Sequence, residues 1–442
     1  MPELSISRLA ILLIFICLVV CIQYGMSREQ SVLLTTAYVV LFALYVWIVR
    51  SATPIEGRLW ITGALLARIA LLAAVPNLSE DVYRYIWDGR VWLSGGNAFA
   101  FVPADAMQRN IPGLNETLFN QLNSPEYFSV YPPVSQFLFW LITCLSPDSV
   151  MGSIIVLRLL VIAVETGTIV LLIRLLNGSG RPATSVLWYA LNPLVILELS
   201  GNVHLEAFMI FFLLLAIYLL SKGRTAWSAV AWVASIGIKL MPILLLPALI
   251  SLVGRWRSIR LYALVAAGLC LLCIPVFGSD GSMVKGVGLF IQKFEFNASI
   301  YYLVREFGWW KYGYNTIADT GWRLTLVAGL LILFYSFLPY ARGGNLIGRL
   351  AGRGMNVLFI FFLFATTVHP WYSTTLVALC TLTVLRYPVV WSAVIFLTYT
   401  GYSTAGYVEQ PVLIFLEYGV VIGYLLFESV WQSDSFASPR YV

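Results

Sequence analysis

A succession of apolar runs, each about 12–25 residues long, governs what this chain can fold into. The runs fall near 7–26, 31–49, 59–76, 151–175, 183–199, 203–221, 226–238, 241–254, 259–277, 322–340, 354–368, 371–386, 388–404 and 411–430. A helical crossing of a bilayer needs about 20 apolar residues, and its backbone polar groups must be satisfied within the segment. The expected fold is therefore an all-α polytopic membrane bundle of about 13–14 spans, several of them short. Composition agrees, because only 11% of the 442 residues are charged, against about 25% in a soluble domain. The net charge of +6 is spread over many loops, so it reports topology and no nucleic-acid partner is expected. The first run lacks an A-x-A-like cleavage site and is read as a retained helix. Cys270 and Cys273 form a C-x-x-C inside an apolar run, where packing is favoured over redox chemistry.

Loop charges set the orientation. With a cytoplasmic amino terminus, the cytoplasmic loops carry Arg50 and Arg58, Arg174 and Arg181, Lys222 and Arg224, and Arg255, Arg257 and Arg260. The later ones carry Arg342, Arg349 and Arg353, then Arg386, whereas the short loops opposite carry Arg28 and little else. A full crossing by Pro133–Leu145 would put Arg174 and Arg181 outside, so that segment is predicted to be a short re-entrant or surface-lying helix. Two long loops, 77–150 and 278–321, then fall on the outer face of one integral domain spanning 1–442. No internal repeat or low-complexity tract is visible.

The first of these loops opens with Glu80 to Arg90, EDVYRYIWDGR, a burst of charge after an apolar run. A charge costs roughly 2.5–3.5 kcal/mol to insert at a bilayer centre, so this cluster belongs at the water boundary. On a helix, Asp81 and Arg84 are neighbours at i+3, Arg84 and Asp88 at i+4, and Asp81 and Asp88 lie one heptad apart. One face would then present carboxylate, guanidinium and carboxylate. That suits proton abstraction beside a group that holds an anion, although a surface helix with internal ion pairs explains the same pattern. The aromatics Tyr83, Tyr85, Trp87 and Trp92 suit either sugar stacking or an interfacial belt.

Other candidates share the predicted outer side. His204 and Glu206 follow the apolar run at 183–199, and the chain's second histidine, His369, begins His369-Pro-Trp-Tyr372. Capping or packing would also account for each histidine. The ligand spacing is too loose to argue for a metal, so no metal or cofactor is expected. Lys239 sits between two short apolar halves, 226–238 and 241–254. At the apex of a hairpin it would suit a lipid-borne phosphate; the alternatives are snorkelling or pairing with Glu165 or Glu198. Lys285, Lys293, Arg305, Lys311 and Arg323 surround Asn297 and Ser299 in the second outer loop, where they suit an anionic ligand or lipid headgroups.

Several pieces occur together in order: LSEDVYRYIWDGRVWLSGGNAF, YPPVSQFLFW, NPL…GNVHLEAF, IKLMP, FEFNASIYYLVRE and VHPWY. The set resembles the GT-C superfamily of polytopic glycosyltransferases, and within it the bacterial mannosyltransferase-like members of glycosyltransferase family 87. The resemblance implies juxtamembrane helices over a lipid-accessible cleft and an essential aspartate on the first outer loop, carried over here as Asp81. Arg84, Asp88 and Arg90 would support that base, and Lys239 and His369 match family positions lining the cleft. Glu80 and Asp88 are counted with Asp81 as catalytic candidates, and Tyr85, Arg84, Arg90, His204, Glu206, Asn297 and Tyr372 join Lys239 and His369 as substrate-binding candidates. The chain has Glu80 where relatives often have Asp, His204-x-Glu206 for H-x-D, and Asn97-Ala98-Phe99 for N-P-Y. The implied activity is inverting transfer of a hexose, mannose foremost, from a polyprenyl-phosphate donor to a lipid or glycan acceptor. It would occur at the outer face of the cytoplasmic membrane, among membrane lipids. The alternatives are a diphospholipid-dependent polysaccharide polymerase or ligase, a lipid or solute transporter, which usually shows paired repeats, and a non-catalytic scaffold.

Overall fold

The computed structural model describes residues 6–109, 111–277, 282–339 and 345–437. Helices build it, as the apolar runs require, and among the described residues the one sheet is a hairpin pairing Tyr402–Ser403 with Gly406–Tyr407. The protein is an all-α polytopic membrane bundle, but the span count differs from expectation. Among the described residues six helices are long and apolar enough to cross a membrane: Ile6–Gly25, Ser31–Ser51, Val150–Gly178, Ile317–Phe337, Leu346–Phe364 and Pro411–Val430. A bent pair, Ala183–Ala190 and Pro193–Gly201, adds a seventh if it is counted as one crossing. Other apolar runs fold into shorter pieces, such as Gly57–Ala70, Glu206–Ser221 and Thr225–Ile238. At about 1.5 Å per residue a 14-residue helix reaches about 21 Å, short of a hydrocarbon core of about 30 Å. Hydropathy identified the runs, but their breaks at Pro, Gly and 3₁₀ turns decide their lengths. Runs 371–386 and 388–404, for example, divide into Pro370–Ser373, Thr374–Cys380, Tyr387–Val394 and Ile395–Gly401.

The bent pair interrupts the regular helices inside the bundle. Its two halves meet at 56°. The break falls at Asn192-Pro193, where the Asn192 side chain accepts from Leu194 N (3.0 Å) and Val195 N (3.3 Å). Proline at the first helical position gives up no needed donor, so this dipeptide starts the second half cleanly. Asn192 Nδ2 donates to Ser392 Oγ (2.9 Å), locking the break against a distant segment.

Buried arginines satisfy the carbonyls that such a break strands. Arg68 donates to Ala190 O (2.7 Å) and is neutralised by Glu165 (2.9 Å), whose other oxygen accepts from Tyr189 OH (2.5 Å). At the far end a π-helix, Ile196–Gly201, leaves carbonyls that Arg158 collects, Ser200 O and Gly201 O at 2.8 Å each. Helix ends away from water need such partners.

Loops assigned to one face by charge meet one another. Arg181 donates to Thr383 O (2.8 Å) and Asn345 Nδ2 to Ser179 O (2.8 Å). On the opposite side Arg28 pairs with Glu80, and Asn97 Nδ2 donates to Pro275 O (3.1 Å).

Pro133–Leu145 is a separate 13-residue helix, too short to cross alone, and it packs along Asp81–Leu93. Gly89 permits that approach, because a Cβ there would lie 2.2 Å from Phe139 O. Ser135 Oγ donates to Ile238 O (2.7 Å), fixing the pair to the end of Thr225–Ile238. Gly89→Ala should therefore force the two helices apart and destabilise the protein by about 1–3 kcal/mol. The measurement is Tm in detergent, with Gly329→Ala as the control, since that position has open space.

Candidate active site

Asp81 is the first residue of the helix Asp81–Leu93, where the positive end of the helix dipole favours a carboxylate. The chain entering that helix is tied down from below. Asn202 Oδ1 accepts from Asn77 N (3.1 Å) and Leu78 N (3.0 Å), and Asn77 Nδ2 donates to Met26 O (2.7 Å). The same Asn202 ends the π-helix, so the first outer loop and the broken segment share one anchor. Asp81 is thereby held with Oδ2 3.8 Å from His204 Nδ1, while Oδ1 accepts from Asn123 Nδ2 (3.0 Å).

His204 follows Val203, whose φ of 55° is costly for a β-branched residue and persists because the surroundings impose it. The imidazole is buried and stacked on Trp371 (centroids 3.8 Å apart), and Trp371 stacks in turn on His369 (4.4 Å). His204 Nε2 lies 3.3 Å from Glu198 Oε2, and Glu198 Oε1 accepts from Tyr399 OH (2.6 Å).

Glu206 opens the next helix, Glu206–Ser221, and is buried; it pairs with Lys239. Lys239 ends Thr225–Ile238 in an extended conformation, and its ammonium lies 5.0 Å from the centroid of the Tyr372 ring. The lysine partner is thus Glu206, and neither Glu165 nor Glu198.

The second outer loop is pinned to the same place. Phe296 N donates to Thr366 O (3.1 Å), Val368 N donates to Phe296 O (2.8 Å), and the Phe296 ring lies 4.8 Å from that of His369. Asn297 makes the turn with φ 47°; its amide donates to Glu417 (3.1 Å) and its carbonyl accepts from Tyr418 OH (2.8 Å). Asn297 therefore holds the loop that carries Phe296 against the His369 segment.

Asp81, His204, Glu206, Lys239, His369 and Tyr372, four sequence segments in all, converge on one cluster. Burial pushes the Asp81 carboxyl above the usual carboxylate range; Lys239 and the Asn123 hydrogen bond oppose this, and Glu206 and Glu80 reinforce it. Burial, then the nearby Lys239 and His369, pushes His204 well below its ordinary value. His369 falls to about 3 through burial and Lys239, so both imidazoles are neutral at pH 7. Among the described residues no group of three or more His, Cys, Asp or Glu is placed to hold a metal ion.

The remaining candidates lie differently from expectation. Arg84 turns to Asp88 (2.8 Å) and to the carbonyls of Ser124 (3.2 Å) and Tyr127 (3.0 Å), so the expected carboxylate–guanidinium–carboxylate face is split. Asp88 is buried and also accepts from Ser129 Oγ (2.6 Å) and Gln136 Nε2 (2.9 Å). Arg90 donates to Gly113 O (2.6 Å). Glu80 pairs with Arg28, whose guanidinium lies 4.6 Å from the Tyr402 ring centroid. Tyr85 is buried against Phe139 and Tyr131, with ring centroids 4.6 and 5.1 Å away. Arg305 meets Glu409 (2.6 Å), Glu306 (3.2 Å) and Glu295 (3.4 Å), so its charge is already matched within the protein. Sequence reasoning did not single out Asn123, Trp371 or Tyr399, and weighed Glu198 only as a lysine partner.

A polytopic helical bundle that gathers carboxylates, neutral imidazoles and one ammonium into a partly exposed cluster has the makings of a membrane-embedded transferase. The family model described as alpha-(1->6)-mannopyranosyltransferase, N-terminal domain, matches residues 15–255, more than half of the chain, and the chain belongs to that family. An alpha-(1->6)-mannopyranosyltransferase B of Corynebacterium glutamicum is 30% identical over 173 residues, covering 38% of this chain and 28% of the relative. An alpha-(1->6)-mannopyranosyltransferase A of Mycobacterium tuberculosis is 26% identical over 227 residues, covering 50% of this chain and 43% of the relative. The matches span less than half the length of these relatives. The family match takes in Asp81, His204, Glu206 and Lys239 and ends before Asn297, His369 and Tyr372.

Removing Lys239 strands the buried Glu206. Lys239→Met should cost about 3–5 kcal/mol, as expected when one partner of a buried pair is lost. Combining it with Glu206→Gln should restore most of the loss, measured as Tm in detergent.

Proposed function

We infer that this protein transfers a hexose, mannose foremost, from a polyprenyl-phosphate donor to a hydroxyl of a lipid or glycan acceptor. The reaction takes place at the outer face of the cytoplasmic membrane. Family membership supports the sugar and the reaction class. The catalytic reading is carried by Asp81, a carboxylate that keeps 17% exposure at the edge of a largely buried cluster, with Lys239 at 18% beside it.

The donor enters sideways from the lipid, with its phosphate directed to Lys239. Asp81 takes the proton from the acceptor hydroxyl as that oxygen attacks the anomeric carbon. The bond from that carbon to the phosphate oxygen breaks, its electron pair leaves with the phosphate, and the single displacement inverts the configuration. Negative charge grows on the leaving phosphate, so an ammonium fixed by Glu206 and Tyr372 is well placed to stabilise it. A proton acceptor works best when its pKa approaches the operating pH. Burial moves Asp81 in that direction, and Lys239 opposes the rise.

Asp81→Asn should lower transfer at least about 10²-fold, the lower end of what a positioned base contributes. Donor binding should persist, as measured by ligand-induced thermal shift. Only ionised Asp81 accepts the proton, so transfer should rise with pH along an acid limb above the ordinary aspartate value of about 3.9. Lys239→Met, by removing the opposing charge, should move that limb higher still. Undiminished turnover by Asp81→Asn removes Asp81 from the role.

A further inference from the structure

Glu198 takes no part in the displacement described above, yet it is buried and its Oε2 lies 3.3 Å from His204 Nε2. The opposite nitrogen of the same ring, Nδ1, lies 3.8 Å from Asp81 Oδ2. The stack on Trp371 fixes the ring plane, so His204 stands between two carboxylates. Among the described residues neither ring nitrogen makes a completed hydrogen bond in this resting geometry, and catalytic contacts often tighten only when substrate binds.

A neutral imidazole has one N–H and one lone pair, so it cannot serve both carboxylates alike. The contacts of Glu198 bear on the choice. Tyr399 OH donates to Oε1 (2.6 Å) and Asn202 Nδ2 to Oε2 (3.4 Å), so both neighbours treat Glu198 as an acceptor, with its burial beside Glu206 and Asp81 acting against the charge. We propose that Glu198 is a positioning residue that takes the Nε2–H of His204 and thereby turns the Nδ1 lone pair toward Asp81.

This proposal rests on Asp81 as the base and adds a destination for the proton. Once Asp81 carries the acceptor's proton, its O–H delivers that proton to Nδ1 while the Nε2–H passes to Glu198 Oε2. His204 ends neutral in the opposite tautomer, Glu198 becomes a neutral acid, and Asp81 is ionised again. One proton has moved and no charge has been added. Lys239 and His369 face His204, and Lys239, Glu206 and Glu80 face Asp81. The ammonium disfavours a standing imidazolium, so the ring passes a proton on instead of storing one. After product leaves, the same line runs in reverse and releases the proton at the exposed edge of Asp81.

The chain has only two histidines, so 15N-histidine labelling reads this directly, with His369→Gln assigning the signals. His204 should be the Nε2–H tautomer in the wild-type protein and the Nδ1–H tautomer in Glu198→Gln, whose amide donates to Nε2. Glu198→Gln should also lower kcat by about 10²-fold, the scale of a lost acid–base contribution, with the donor KM held and the acid limb displaced. An identical tautomer in both proteins, or an unchanged kcat and pH profile, overturns the proposal. If Glu198→Gln does not fold, Tyr399→Phe should move the tautomer in the same direction, and no movement overturns it. The tautomer is read without any transfer assay, so failure here is distinct from failure of Asp81→Asn to lose activity.

Discussion

A backbone that stops being helical inside an apolar bundle must find hydrogen bonds within the protein, and the rest of this structure follows from how it does so. The break at Asn192-Pro193 and the π-turn ending at Gly201 strand carbonyls that water cannot reach. Arg68, neutralised by Glu165, serves one end and Arg158 the other. Asn202 then binds the amides of Asn77 and Leu78, which lead into the helix that begins at Asp81. Satisfying the broken backbone and placing Asp81 opposite His204 are parts of one arrangement.

The charges of the site are graded by burial. Glu198 and Glu206 are fully enclosed, whereas Asp81 and Lys239 keep partial exposure at the rim. Among these four groups three are carboxyls and one is an ammonium; burial raises the Asp81 carboxyl, Lys239 opposes that rise and Glu206 adds to it. Neutral imidazoles between them add polar surface without adding charge. Two rim groups of opposite sign, backed by a buried polar interior, suit a substrate that brings a hydroxyl proton to one and a phosphate to the other.

Much of this was legible in the sequence. Apolar runs identified the membrane class, and the positions of the arginines grouped loops that do meet in space, such as those holding Arg181 and Thr383. A shared predicted side for Asp81, His204, Glu206 and His369 is a requirement for a single site, but that they meet one another, with Lys239 and Tyr372, depends on packing between distant segments. Span number was not legible, because hydropathy is blind to where Pro, Gly and 3₁₀ turns cut a run. Helical spacing also misled at Arg84, which is within reach of both Asp81 and Asp88. Ser129 and Gln136, on a segment some forty residues away, complete the network that draws it to Asp88. Glu198 could have been recognised, since an acid in an apolar run needs a partner, but its partners Tyr399 and His204 come from separate segments.

In the proposed mechanism Asp81, His204 and Lys239 line one cleft that opens to the lipid. A cryo-EM structure of the protein in a lipid nanodisc with a polyprenyl-phosphate sugar tests it most directly. The phosphate should lie against Lys239 and the anomeric carbon should face Asp81, with the Asp81–His204 separation near 3.8 Å. Asp81 and Lys239 opening onto different surfaces, or a donor bound elsewhere in the bundle, would contradict it.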